Sequence, residues 1–266
     1  MPLAIITGAS RGIGAAYARE LAMRGYDLLL VARDTNRLNQ LAAALQKHNT
    51  NITIERQNLD LANPHAAKML YEWATSFNRP VDLVIQNAGF GLYGNFVTMP
   101  MNKLLQMVQL HVLQITEATR LFLPDLVAQG TGTIIIVSSV AGFIPIPYMA
   151  EYAATKAYLN AFSEAVAHEL RGTGVTLQVC CPGFTDTDFH HTAGHYPRHT
   201  FWPQSPEQVA RVSLNALSSR QTLVTIGWQG RLAYWISRLS TKKLLLPLAA
   251  RVVKPPSSYS HPPSPI

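Results

Sequence analysis

"LAIITGASRGIGAAYARELA" (residues 3–22) joins two structural periods in one stretch. Residues 3–7 form an apolar run closed by a threonine, the pattern of a strand buried on both faces. From residue 12 onward apolar side chains recur at helical spacing, which predicts a helix over 12–22. Between the two, Gly8, Gly12 and Gly14 form G-x-x-x-G-x-G, with Ser10, Arg11 and Ile13 filling the loop. Glycine permits the tight turn and lets the backbone come close to a ligand. The helix N-terminus then offers free N–H groups to a pyrophosphate. Strand, glycine loop and helix in that order open a dinucleotide-binding α/β sheet.

The rest of the chain repeats the unit. Strands are predicted at 3–7, 27–32, 52–57, 81–86, 132–138, 175–181 and 222–226, most of them apolar throughout. Helices are predicted at 12–22, 35–47, 64–77, 100–123, 150–170 and 206–218. This alternation implies a Rossmann-type, doubly wound parallel sheet of about seven strands with helices on both faces. Ligands then bind at the C-terminal ends of the strands.

Strand two ends in "LLLVARD". An acidic residue at this place would hold free ribose hydroxyls. Here Ala32 occupies it, with Arg33 next and Arg11 in the glycine loop. Two cations near the ribose favour a 2′-phosphate, hence NADP(H). Asp34 beside them reads as the cap of the following helix.

Further motifs follow in order: "QNAG" (86–89), "VSSVAG" (137–142), "YAATK" (152–156) and "CPG" (181–183). With the glycine loop they resemble the short-chain dehydrogenase/reductase family over residues 3 to about 226. The resemblance implies an oxidoreductase that moves hydride between NADP(H) and a carbonyl or alcohol. It makes Tyr152 the acid/base and Lys156 the group that lowers its pKa and binds ribose. Ser139, thirteen residues before the tyrosine, orients the substrate oxygen, which selects it over Ser138. A free phenol, with pKa about 10, suits neutral pH poorly, so a neighbouring ammonium is chemically apt. The alanines Ala153, Ala154 and Ala157 would let this helix lie close to the cofactor and its neighbours. By the same resemblance Asn87, Ala88 and Gly89 shape the cofactor site, Asp60 contacts adenine, and Pro182, Gly183 and Thr185 line the nicotinamide. Many members carry an asparagine at the position of His111. A histidine there has two readings: it holds a water and passes a proton, or it is packed and bonded to backbone.

Segment 184–206 reads as an aromatic-rich substrate lid containing Phe184, Phe189, Tyr196, Phe201 and Trp202. Its histidines, at 190, 191, 195 and 199, match no standard zinc spacing, so no metal is expected. "YGNF" (93–96) and "FIPIPYM" (143–149) complete an apolar substrate wall.

Composition sets the remaining bounds. The chain has 266 residues, 48% hydrophobic and 14% charged, enough for one sizeable core. The catalytic domain is assigned to 1–227. Cys180 and Cys181 are adjacent, which is no disulfide framework and fits a reducing, cytoplasmic setting, as two small buried residues at a strand end. The apolar start lacks a basic n-region and breaks at Gly8, unlike a signal peptide. After Glu207 there is no acidic residue, yet eight basic ones follow, so the net charge of +7 belongs to the C-terminal part. The remainder is near neutral, which disfavours nucleic acid as a partner. Segment 228–253 reads as a basic amphipathic extension with two readings: peripheral contact with an anionic membrane, or docking on the domain or on a second subunit of a homo-oligomer. Residues 254–266, rich in Pro and Ser, read as disordered. The alternative function class is a non-catalytic NADPH-binding regulatory module, or a membrane-peripheral interaction module.

Overall fold

The computed structural model describes residues 1–193 and 203–253. The lid residues His195, Tyr196, His199, Phe201 and Trp202 and the tail 254–266 lie outside them. Seven parallel strands form one sheet in the order β3-β2-β1-β4-β5-β6-β7. They are β1 (Leu3–Thr7), β2 (Asp27–Ala32), β3 (Ile54–Asn58), β4 (Leu83–Gln86), β5 (Gly132–Val137), β6 (Val175–Cys181) and β7 (Leu223–Thr225). The expected Rossmann-type architecture is therefore present.

The apolar strand pattern has its physical cause in the two covered faces. Along β1 and β2, Ala4, Ile6, Leu28 and Leu30 point to one face. There they meet helices α1 (Gly12–Met23) and α2 (Thr35–His48). Leu3, Ile5, Leu29 and Val31 point to the other face, where α3 (Ala66–Thr75) covers them. Successive side chains alternate across the sheet, so a strand covered on both sides needs apolar residues at every position. The edge strand β3 escapes this rule: its side chains are half-buried or exposed, and its sequence is polar.

Helix boundaries differ from expectation in places with clear causes. The helix predicted over 100–123 runs on to Gln129 as α4 (Met101–Val108), a π-helical turn (Gln109–Leu113) and α5 (Gln114–Gln129). It passes through Pro124, which forgoes one backbone hydrogen bond, and stops at Gly130 in the left-handed conformation. Asp34 caps α2 as expected, accepting from the Arg37 N–H at 3.0 Å. Helix α6 (Ala150–Glu169), the short α7 (Phe189–Thr192) and α8 (Pro206–Ala216) follow. The C-terminal extension is two helices, α9 (Gly227–Leu239) and α10 (Lys242–Val253). Among the described residues no helix is long and apolar enough to cross a membrane.

The chain reverses its direction across the sheet between β1 and β4. Such a switch point opens a crevice at the carboxyl ends of the strands. The glycine loop, Asn87, Ser139 and Pro182 all follow directly on strands that end there.

Candidate active site

Helix α6 brings Tyr152 and Lys156 onto one face, both buried, at 8% and 5% exposure. The Lys156 Nζ lies 5.7 Å from the centre of the Tyr152 ring. It donates to the Val137 carbonyl at 2.9 Å, which ties the helix to the end of β5. The next two residues divide two tasks. Ser138 is buried, and its hydroxyl donates to the Lys156 carbonyl at 3.1 Å. Ser139 Oγ accepts from the Ala141 N–H at 3.1 Å and lies close enough to Tyr152 to favour its phenolate. Geometry thus brings Ser139, Tyr152 and Lys156 together and leaves Ser138 as a brace.

Close packing makes this possible. A Cβ on Gly142 would lie 2.6 Å from the Lys156 backbone, so the turn after Ser139 is pressed against α6. The alanines contribute less than expected. Ala153 is buried, but Ala154 and Ala157 are exposed, because the inward positions of α6 are Tyr152, Thr155, Lys156 and Leu159.

Electrostatics run against the simple expectation for the tyrosine. Burial pushes the Tyr152 phenol up to about 12, and the hydrogen bond from Ser139 offsets only part of that. Burial also lowers Lys156 to about 8. In the protein alone desolvation dominates, and the opposing pull on the phenol comes from Ser139.

The cofactor cradle is built from backbone. Gly8 has φ +65°, and a Cβ on it would sit 2.9 Å from Ala88 Cα. A Cβ on Gly14 would meet the Gly8 carbonyl oxygen at 2.2 Å. Helix α1 starts at Gly12 after the N-cap Arg11, with no side-chain cap, so its first N–H groups remain available to an anion. These features fit a dinucleotide pyrophosphate. Asn87 holds the loop in place: its Nδ2 donates to the Thr7 carbonyl at 3.0 Å, while its own N–H donates to Thr7 Oγ1 at 2.9 Å. Thr7, which also accepts from the Ala88 N–H at 3.1 Å, is a site residue that sequence reasoning missed. Its only signal was a hydroxyl closing an otherwise apolar strand.

Ala32 is buried at the end of β2, and Arg33 and Asp60 are exposed, 4.0 Å apart. Arg11 and Arg37 both reach Asp188 of the lid, at 3.8 and 3.2 Å. Arg11, Arg33 and Arg37 thus gather at this corner in exposed pairs with Asp188, Asp60 and Asp34, and the last residue of β2 itself is Ala32.

His111 is fully buried within the π-helical turn. The Phe90 N–H donates to its Nε2 at 3.1 Å, so the ring proton is on Nδ1, which faces Thr155 Oγ1 at 3.1 Å. The Thr155 hydroxyl donates onward to the Tyr152 carbonyl at 2.9 Å. Both ring nitrogens are engaged by protein groups, one of them a backbone N–H. Gly89 makes room: a Cβ there would lie 2.9 Å from Nε2.

The lid begins on the site. Phe189 lies against Tyr152 with ring centres 5.4 Å apart. Gln204 closes the lid's base, accepting from the Gly183 N–H at 3.0 Å and donating to the Ile226 carbonyl at 2.6 Å. Thr185 is buried and bridges to Gln204. The Val140 N–H donates to the Pro182 carbonyl at 3.0 Å. Sequence reading gave Gln204 no role, since one glutamine among lid residues carries no motif. The two wall segments meet: the Gly94 N–H donates to the Tyr148 carbonyl at 2.9 Å. Cys180 and Cys181 are free and buried at the end of β6, as expected. Among the described residues no cluster of metal-ligating side chains occurs. The side chains of His190 and His191, and all of His195 and His199, lie outside that description.

The family model for short chain dehydrogenase matches residues 2–196. The chain belongs to the short-chain dehydrogenase/reductase family. Its relatives include the ketoacyl reductase HetN of Nostoc sp., 29% identical over 228 residues, which are 84% of this chain and 77% of that protein. The very-long-chain 3-oxoacyl-CoA reductase of Mus musculus is 30% identical over 183 residues, 67% of this chain and 58% of the mouse protein. Among solved structures, a short-chain dehydrogenase from Sphingobium yanoikuyae in complex with NADPH superposes with a TM-score of 0.80 at 32% identity, covering 85% of this chain and 87% of that one. As a member of this family the chain is an oxidoreductase that uses a nicotinamide cofactor.

Proposed function

We propose that this short-chain dehydrogenase reduces an apolar ketone or aldehyde with NADPH, or oxidises the corresponding alcohol with NADP⁺. The observation that carries the reading is the convergence of Ser139, Tyr152 and Lys156 at the strand ends beside a capless helix N-terminus. The absence of a carboxylate at the end of β2, with Arg33 and Arg11 nearby, supports the 2′-phosphorylated cofactor. The names of the relatives, ketoacyl and very-long-chain 3-oxoacyl-CoA reductases, support a long-chain carbonyl substrate, as does the aromatic and apolar wall.

A nicotinamide cofactor, when held here, would supply hydride to the carbonyl carbon. Gly8, Gly12 and Gly14 bring the backbone of the α1 N-terminus to the pyrophosphate, with Ser10 and Ile13 in the same loop. Asn87, Ala88 and Gly89 shape the wall opposite, and Asp60 lies at the adenine side. Pro182, Gly183 and Thr185 line the nicotinamide side. As charge develops on the carbonyl oxygen, Ser139 Oγ donates a hydrogen bond to it and Tyr152 Oη donates the proton. Lys156 stabilises the phenolate left behind and reaches the ribose hydroxyls. Phe189 excludes water from Tyr152, which strengthens these interactions in a low-dielectric site.

NADPH oxidation against a panel of long-chain 3-oxoacyl esters, cyclic ketones and aldehydes tests this. Tyr152→Phe is expected to lower kcat by about 10²-fold or more while NADPH still binds. Turnover by that variant equal to wild type would remove Tyr152 from the mechanism.

A further inference from the structure

Helix α9 docks the wrong way round for an ordinary terminal helix. Its inward face is Gly230, Ala233, Tyr234 and Ser237, buried or half-buried. Tyr234 packs on Phe143 with ring centres 5.3 Å apart, on the turn that follows Ser139. A Cβ on Gly230 would lie 3.2 Å from Thr225, so the helix is seated tightly. The apolar stripe points outward instead. Trp228 is 62% exposed, Trp235 58% and Leu239 81%, with Leu232 and Ile236 beside them. These positions follow helical spacing and form one continuous face. A soluble helix normally buries such a face and exposes its polar one.

Cations flank the stripe. Arg231 and Arg238 are exposed on α9, and Lys243 and Arg251 on α10, where Leu246 and Leu248 are exposed as well. No acidic residue occurs after Glu207. A second copy of this chain fits poorly as the cover. A two-fold interface would set the patch against itself, cation to cation, with no carboxylate in the segment to answer them. A surface that offers both apolar depth and negative charge matches all of it.

We propose that the outward face of α9, continued by α10, docks on an anionic lipid bilayer. Trp228, Trp235 and Leu239 enter the interface between headgroups and acyl chains, and the flanking cations meet lipid phosphates. The proposal rests on this surface alone and holds whatever the enzyme's substrate.

Co-sedimentation of the full chain with vesicles tests it. Binding is expected to vesicles of phosphatidylcholine mixed with phosphatidylglycerol, to weaken as salt is raised, and to fall sharply on phosphatidylcholine alone. Trp235→Asp with Leu239→Asp is expected to abolish binding while leaving turnover of a water-soluble carbonyl unchanged. Arg231→Gln with Lys243→Gln, confined to exposed side chains, is expected to weaken it about thirty-fold and serves if the first pair fails to fold. Failure of wild type to bind the anionic vesicles overturns the proposal, as does equal binding by the folded variants. So does a stable wild-type dimer in sedimentation velocity that Trp235→Asp converts to monomer, which would assign the face to a second copy.

Discussion

Lys156 is held where a lysine is costly. It is 5% exposed and its ordinary value of 10.5 is lowered to about 8 by burial, although Nζ has the Val137 carbonyl at 2.9 Å. Below pH 8 the native state must keep an ammonium in a desolvated place. Between about 8 and 10.5 the native lysine is neutral while the unfolded one is charged, so the unfolded state binds more protons and stability rises with pH. The phenol of Tyr152, pushed up to about 12, acts in the opposite sense above about pH 10, where the unfolded chain ionises first. Lys156→Met is therefore expected to stabilise the protein at pH 7. The shift corresponds to about 3 kcal/mol, and loss of the bond to Val137 returns about 1, leaving roughly 2. Urea unfolding at pH 7 and pH 10 checks this: the gain should shrink at the higher pH, and activity should be lost at both. A variant less stable than wild type at pH 7 would contradict the burial argument. Under the proposed mechanism the cost is offset by use, since a lysine held beside Tyr152 would stabilise the phenolate.

The element that decides the role of His111 is the π-helical turn over Gln109–Leu113. It sets the imidazole between the loop after β4 and helix α6, with Phe90 N–H on one nitrogen and Thr155 Oγ1 on the other. A chain of contacts thus runs from His111 through Thr155 to the Tyr152 carbonyl, and we propose that His111 positions Tyr152 through it. Burial first, and the Lys156 charge second, hold its pKa well below 6.5. As pH falls below 6.5 the unfolded chain takes up a proton that the native state refuses, so this residue costs stability in acid. His111→Asn is expected to retain kcat within about tenfold with an unchanged pH–rate profile, since an amide also offers an acceptor and a donor. Its acid destabilisation should be milder than that of wild type. A lost alkaline or acid limb in the profile would favour the relay reading. The π-turn that holds His111 was not legible in the sequence, because an inserted residue in a helix leaves no periodic mark. Strand ends were legible in part. β1 and β2, buried on both faces, were readable to the residue, whereas polar β3 and fully buried β4 both start two residues later than their patterns. Motifs made of backbone-facing glycines or of Tyr152 and Lys156 were visible because only those residue types serve. Thr7 and Gln204 act by hydrogen bonds to backbone far away in sequence, and nothing local marks such partners. Ala154 and Ala157 misled because alanine is compatible with either face of a helix.

At the scale of the whole molecule, a ligand that binds only the folded state must stabilise all of it. The loops after β1, β2 and β4 draw on both faces of the sheet, so a cofactor bound across them would clamp the two halves at the switch point. At a hundred times its Kd, a ligand adds about 2.7 kcal/mol, which for a chain of this size raises Tm by roughly 5–10 °C. The choice of cofactor should be visible in that shift. NADPH can pair its 2′-phosphate with Arg33 and with Arg11, whose present partners Asp60 and Asp188 lie at 4.0 and 3.8 Å on an exposed surface. Such exposed ion pairs are worth little, so a phosphate of higher charge displaces them at small cost. NADH lacks that group and, on the proposed preference, would gain nothing from either arginine. The expected result is a larger Tm shift with NADPH than with NADH at equal concentration, measured by scanning calorimetry at low salt. Arg33→Asp should reverse the order, because a carboxylate at this place repels the phosphate and accepts hydrogen bonds from free ribose hydroxyls. Equal shifts by the two cofactors on wild type, or an unchanged order in Arg33→Asp, would place the discrimination elsewhere, with Arg11 and Arg37 the next residues to exchange.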